Sequence, residues 1–205
     1  MDRFWLLTST FYGNWLPGDP RGFVSSVRDH RPGDPDYLSR FEHDLPGTDY
    51  DRDMPGLFRA AEEAMKGDPV RVVKSQACVL LAQFKETAAY RGWGLLAASI
   101  MLNHVHLVVG VPGDPDPSDL LRDFKAYGSR ALNKRWGKPR SGTWWTASGS
   151  KRILRGDSAV PDAVRYVTKK QWSPLAVWFG EPGASAPGDR RATTTDVQRT
   201  FSAGG

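Results

Sequence analysis

Two apolar runs, residues 95–101 and 105–111, stand with only three residues between them. Runs of this length, rich in β-branched and aliphatic side chains, read as strands, and so short a link makes them neighbours. The second run opens as Asn103-His104-Val105-His106-Leu107-Val108-Val109. Alternate side chains of a strand share a face, so His104 and His106 leave the same side of a rigid surface. Two neutral imidazoles side by side make half of a metal site. A half-buried strand can equally hold such a pair as hydrogen-bond partners of its neighbours, and the motif alone leaves both readings open. His30 and His43 lie in a Pro/Gly/Asp-rich stretch without ligand spacing and read as surface residues.

Around this hairpin the chain predicts further elements. Residues 4–10 have the aromatic and β-branched content of a first strand. From about 17 to 70 the breakers recur, as in Pro17-Gly18-Asp19-Pro20 and Pro32-Gly33-Asp34-Pro35. This stretch reads as an insertion with one short helical piece at 57–65, because compact domains seldom hold so long an irregular loop. Ala77, Leu80, Leu81, Phe84 and Ala88 recur at helical spacing over 74–90. Asp116-Pro117-Ser118-Asp119 starts a second helix, running to about 136, with a capping side chain, Pro at the first helical position and an acid in the first turn. Its apolar side takes in Leu120, Leu121, Phe124, Tyr127, Ala131 and Leu132, while Arg122, Lys125, Ser129 and Lys134 look outward. Residues 143–146 and 151–154 read as two short strands or as one bent edge strand, a further helix begins around 158–161, and 175–178 forms a terminal strand. The domain is expected to span 1–179, with 180–205 as a disordered tail of Gly, Ala, Ser, Pro and Thr.

Charge separates along the chain. Residues 117–170 hold 13 Lys/Arg against 4 Asp/Glu, and the remainder 15 against 19. A basic block directly after the His pair favours a polyanion lying across it over a merely solvated helix face. The eight Trp residues supply either packing mass or flat surfaces for stacking bases. Cys78 is the only cysteine, so no internal disulfide forms. The first residues lack a basic segment leading into a cleavable apolar core, and no apolar run is long enough for a bilayer. A cytoplasmic location, nucleoid-associated when bound to DNA, and no membrane partner are expected.

Five pieces of sequence, in order, resemble the REP-associated tyrosine transposases among the single-tyrosine HUH transposases. They are T-F-Y-G-N-W-L-P-G-D-P-R-G-F-V at 10–24, N-H-V-H-L-V-V at 103–109, L-L-R-D-F-K-A-Y-G-S-R-A-L-N at 120–133, W-W at 144–145 and V-R-Y-V-T-K-K-Q at 164–171. The His-x-His piece is weak alone, whereas the five together cover most of residues 4–178. The order strand, helix, strand, strand, helix, strand independently suggests an α+β ferredoxin-like split βαβ sandwich with an antiparallel sheet.

The resemblance implies metal-dependent nicking and strand transfer on single-stranded or hairpin DNA through a 5′-phosphotyrosine. Imidazoles alone would suit Zn²⁺, and the oxygen ligands of the family pattern shift the expectation to Mg²⁺ or Mn²⁺. Tyr166 matches the catalytic position and flanks the Ala163, Val164, Val167 stripe, whereas Tyr127 shares the stripe of Leu120, Phe124 and Ala131 and reads as packing. The third metal ligand commonly follows the tyrosine by four residues. Here that position is Lys170 and Gln171 comes fifth, about 100° further round a regular helix. Either a π-bulge brings Gln171 into place, or the site has two protein ligands, or Lys170 supports the phosphate by charge; Gln171 is favoured. Lys125, Arg130, Lys134, Arg135, Lys151 and Arg152 are candidate phosphate contacts, and Trp144 and Trp145 candidate stacking surfaces.

Two rival enzymes fall to single positions. A His-x-His-x-His nucleotide hydrolase or transferase needs a third histidine where Val108 stands, and a cupin-like oxygenase needs downstream ligands the spacing does not offer. The remaining rival is a domesticated DNA-hairpin-binding protein whose chemistry has decayed, with the offset Gln171 as its symptom. Relatives act as monomers or as dimers, and the residues leave a homodimer open.

Overall fold

The computed structural model describes residues 1–20, 26–28, 40–42 and 54–180. His30, His43 and the tail from 181 onward, on which expectations were placed above, lie outside the described residues.

Eleven elements occur among the described residues: β1 (Arg3–Thr10), β2 (Ser26–Arg28), β3 (Arg40–Glu42), α1 (Pro55–Glu63), α2 (Lys74–Arg91), β4 (Gly94–Ile100), β5 (His104–Val111), α3 (Pro117–Trp136), β6 (Ser150–Ile153), α4 (Ala159–Lys169) and β7 (Ala176–Phe179). Five strands form one sheet in the order β6-β1-β5-β4-β7, and every pairing is antiparallel. The first four reproduce the split βαβ arrangement: β5 is inserted between β1 and β4, and β6 lies outside β1. The fold is therefore the α+β sandwich anticipated from the element order. β2 and β3 pair as a separate two-stranded ribbon inside the 17–70 insertion.

Strand alternation builds a different core on each face of the sheet. Leu7 of β1 and Val105, Leu107, Val109 and Val111 of β5 are buried with Ala77, Leu80, Phe84 and Ala88 of α2 and Leu120, Leu121, Phe124 and Leu132 of α3. Each fully buried Leu, Val or Phe contributes about 1.5–3 kcal/mol relative to exposure, which makes this the principal core. On the other face a smaller cluster joins Ala97 and Val108 to Ala163 and Val167 of α4, one helical turn apart. His104 and His106 share that second face with Val108.

Helix ends follow local chemistry. The Asp116 side chain accepts from Ser118 N–H at 2.7 Å, with Pro117 in the first turn, as the capping signature predicts. α2 closes on Gly92 at φ +68°, the left-handed conformation that glycine adopts without a Cβ penalty. Trp93 N–H then returns to the Ala88 carbonyl at 2.8 Å.

One predicted strand is absent. Residues 143–146 contribute a single bridge, Phe11 to Trp145, and only β6 pairs as a strand beyond it. The segment bends instead because both indoles turn into the principal core. No described helix is long and apolar enough to cross a membrane.

Candidate active site

β1 and β5 present four side chains on the α4 face in fixed register: Thr8 opposite His106, and Thr10 opposite His104. The Thr8 hydroxyl lies 2.7 Å from His106 Nδ1, and His104 Nδ1 lies 2.7 Å from the Asn103 side-chain oxygen. Each imidazole thus has its Nδ1 engaged, which orients the ring and leaves Nε2 as the nitrogen that could take a metal. The two rings meet edge to face with centroids 4.8 Å apart. Burial lowers the pKa of His104. Burial and then the neighbouring His104 hold His106 down at about 4, against a raising hydrogen bond from Gln171. Both rings are therefore neutral at neutral pH, the form with a free lone pair.

α4 brings the tyrosine. Ala163 and Val167 anchor the helix on Ala97 and Val108, and Tyr166 lies beside that stripe, so its ring leans over the sheet while remaining 41% exposed. Its centroid is 5.4 Å from that of His106. Thr8, Thr10, Trp15, His104, His106, Gly149, Ser150 and Tyr166 are among the residues lining one cleft of about 280 Å³. A second cleft of about 650 Å³ shares Thr8, His106, Ser150 and Tyr166 and continues past Arg152 and Ser158.

The spacing of Gln171 has a simple resolution. α4 stops at Lys169, and Lys170 is its cap, donating its N–H to the Tyr166 carbonyl at 3.2 Å. Gln171 lies beyond the helix, where the 100° increment no longer applies. Its Nε2 donates to the Tyr166 carbonyl at 3.2 Å, and its side chain acts to raise the His106 pKa against burial. A helix end, rather than the π-bulge considered from sequence, carries the amide to the histidines, and Lys170 is exposed.

The donor set fits a divalent cation. Two neutral imidazoles and the amide of Gln171, held at the Tyr166 carbonyl, could supply two nitrogens and an oxygen, suited to Mn²⁺ or Mg²⁺ completed by phosphate and water. Among the described residues no group of three His, Cys, Asp or Glu could hold a metal, so any cation here needs ligands of another kind.

Other assignments change. Trp144 and Trp145 are 6% and 4% exposed. Trp145 stacks on Phe11 at 4.6 Å and donates from Nε1 to the Ser129 hydroxyl at 3.0 Å, and Trp144 Nε1 donates to Asn133 at 2.8 Å. With faces covered and donors used, neither is a surface for a base. Lys125 is no outward phosphate contact: its ammonium donates to the carbonyls of Thr146, Ala147 and Ser148. Burial, then nearby Lys151, lower its pKa to about 8, while three carbonyl acceptors favour the charged form. Lys125 therefore ties down the loop that walls the cleft. Gly149 in that wall has no room for a Cβ, which would meet the Thr8 carbonyl at 2.5 Å.

The remaining basic candidates divide between the faces. Arg152 lies opposite Leu6 and lines the larger cleft. Lys151 alternates to the α3 side, where it donates to the Ser118 hydroxyl at 3.2 Å. Arg130 stacks over the half-buried Tyr127 ring at 4.9 Å, and Lys134 and Arg135 are exposed in the last turn of α3. These three belong to the helix on the sheet face opposite the histidines. Thr8 and Trp15 escaped the sequence reading. Strand register would have found Thr8, and Trp15 lay within the 10–24 motif without an assigned role.

Residues 71–169 match the family model described as IS200-like transposase. No curated protein matches the chain. Among solved structures, that of a REP-associated tyrosine transposase bound to a REP hairpin is similar at 13% identity and a TM-score of 0.44, over 80% of this chain and 64% of that one. A Deinococcus radiodurans protein described as a transposase is similar at 13% identity and a TM-score of 0.44, over 82% of this chain and 90% of its own. The chain thus spans under two thirds of the hairpin-bound relative.

Proposed function

We propose that this chain, whose residues 71–169 match an IS200-like transposase family model, nicks and rejoins single-stranded DNA through a covalent bond to Tyr166. The observation that carries the reading is the ring of Tyr166 5.4 Å from that of His106 in the cleft that also holds His104. His104, His106 and Gln171 would hold Mg²⁺ or Mn²⁺, which would draw negative charge from the scissile phosphate and orient it.

The chain's own groups account for the rest. The Tyr166 oxygen attacks phosphorus, forming a Tyr–O–P bond as the P–O3′ bond breaks, so that the 5′ phosphate stays on the protein and a free 3′-hydroxyl leaves. The phosphodiester is conserved in kind, and a second 3′-hydroxyl can reverse the step without a nucleotide cofactor. Thr8 and Asn103 keep the imidazoles in orientation, and Arg152 lies where the strand would continue past Tyr166. A hairpin target follows from the five-piece sequence resemblance. Nicking needs no exchange of the tyrosine helix in a homodimer, because Tyr166 stands beside the histidines of its own chain.

A labelled hairpin oligonucleotide with single-stranded flanks, incubated with Mg²⁺ or Mn²⁺, should give a denaturation-resistant protein–DNA adduct. Tyr166→Phe should abolish the adduct and leave binding nearly intact, and Tyr127→Phe should retain it. Binding without an adduct would leave a hairpin-binding protein, and loss in Tyr127→Phe alone would move the nucleophile.

A further inference from the structure

With Trp144 and Trp145 buried, Trp15 lines the cleft and Trp172 stands exposed just past the end of α4. Trp15 stands beside His104, with ring centroids 6.5 Å apart and planes at 79°. Its backbone sits at φ +66°, a left-handed conformation that costs a bulky residue of order 1–3 kcal/mol and persists where surrounding structure enforces it. Trp172 follows directly on Gln171, whose side chain donates to the Tyr166 carbonyl, and is 93% exposed, an extreme value for so large an apolar ring. Ser173 after it, at φ +48°, is the other non-glycine residue with positive φ among those described. Trp15, His104, His106 and Tyr166 form a row whose successive centroids lie 6.5, 4.8 and 5.4 Å apart.

We propose that Trp15 and Trp172 are stacking platforms for unpaired bases on the two sides of the phosphate that Tyr166 attacks. The inference rests on the single-stranded DNA reading above and adds to it the residues that hold the flanking nucleotides. Every base has a π-face, so two indoles grip a strand independently of its sequence and do so only where the bases are unpaired. Trp15, half-covered and braced against His104, fixes one neighbour of the scissile phosphate; Trp172, standing in water, gains a partner for a face that is otherwise solvated. The arrangement selects unpaired over duplex DNA at the nick without reading a base edge.

The test is fluorescence anisotropy of the full chain with a labelled single-stranded oligonucleotide, in chelator so that no cleavage intervenes, repeated with single abasic sites scanned along the strand. Trp172→Ala should weaken binding roughly ten-fold and Trp172→Phe much less, since stacking contributes about 1–3 kcal/mol per base. Trp15→Gly, which suits the left-handed backbone, should weaken binding similarly while unfolding no earlier than the parent. The decisive signature is non-additivity: the abasic position that costs the parent chain affinity should cost the matching Trp variant little more. Unchanged affinity in both variants, or penalties that simply add, overturns the platforms while DNA binding stands. A parent chain that binds no single-stranded DNA overturns the DNA-processing reading as well.

Discussion

The Thr8 hydroxyl lies 2.7 Å from His106 Nδ1, across a strand pairing that puts the two residues in direct register. The bond fixes which ring nitrogen faces the cleft and the plane in which it does so. Thr8→Val keeps shape and β-propensity and removes the hydroxyl. The expected result is a folded protein with divalent-metal affinity lowered about 10–100-fold, the usual effect of removing a partner that orients a ligand. Calorimetric titration with Mn²⁺ checks this, and unchanged affinity would show that the threonine is mere sheet.

His106 titrates in the folded chain near 4, chiefly through burial, against an ordinary 6.5. Between those values the unfolded chain binds a proton that the folded chain refuses, so stability is complete above about 6.5 and falls as pH drops toward 4. In chelator, acidification across this window should cost on the order of 2–3 kcal/mol. His106→Gln should flatten the slope. Denaturant midpoints measured at several pH values decide it, and a parallel slope in the variant would refute the assignment.

Lys125 and Arg152 are both cations of the basic block, yet they should fail differently. Lys125→Met strips three carbonyls of their donor and should destabilise the fold by about 1–3 kcal/mol. The salt dependence of DNA binding should be unaltered. Arg152→Ala should leave stability within about 0.5 kcal/mol and reduce the slope of log affinity against log salt by roughly 0.7, the value for one single-strand phosphate contact. Salt titrations beside thermal melts separate the two, and reversed outcomes would exchange their roles.

Trp145 is sandwiched between the helices and the strand end, stacked on Phe11 and hydrogen-bonded to Ser129. Trp145→Ala should lower stability by about 3–5 kcal/mol. A well-folded variant with weakened DNA binding would reinstate it as a stacking surface.

Gly149 touches the Thr8 backbone so closely that Gly149→Ala must displace the cleft wall. Adduct formation should fall at least ten-fold and the melting temperature should drop as well, since the added Cβ would meet both the Thr8 carbonyl at the site and Leu121 of the principal core. A gel assay beside a melt checks both, and full activity would show the wall to be pliable.

How far the site was legible depended on the kind of rule each residue obeys. His104 and His106 share a face because a strand repeats every two residues, and Tyr166 borders its helix stripe because a helix repeats every 3.6. Gln171, the favoured third ligand, looked about 100° out of phase only because the helical rule was carried two residues past the helix end at Lys169. Lys125 looked outward by periodicity, but a long side chain bends to wherever acceptors gather, and the 146–148 carbonyls gather beside it. The tryptophans were undecidable from composition: burial depends on what a bend in the chain turns inward, and 143–146 turns both indoles inward.

The residue order alone indicated most strands, helices and faces of this protein, since backbone periodicity and capping are local properties, with the 143–146 segment and the Lys125 side chain as exceptions. It also placed the histidines on one strand and the tyrosine on a later helix. The element order already implied β5 between β1 and β4, but only the tertiary structure fixed the register that sets Thr8 against His106 and the packing that lays α4 across the histidine face. The tertiary structure also decided which cations and which tryptophans reach the cleft. Those outcomes are set by packing between segments distant in sequence, where the burial of Phe11, Trp145 and Val167 outweighs any preference that a residue and its neighbours could express.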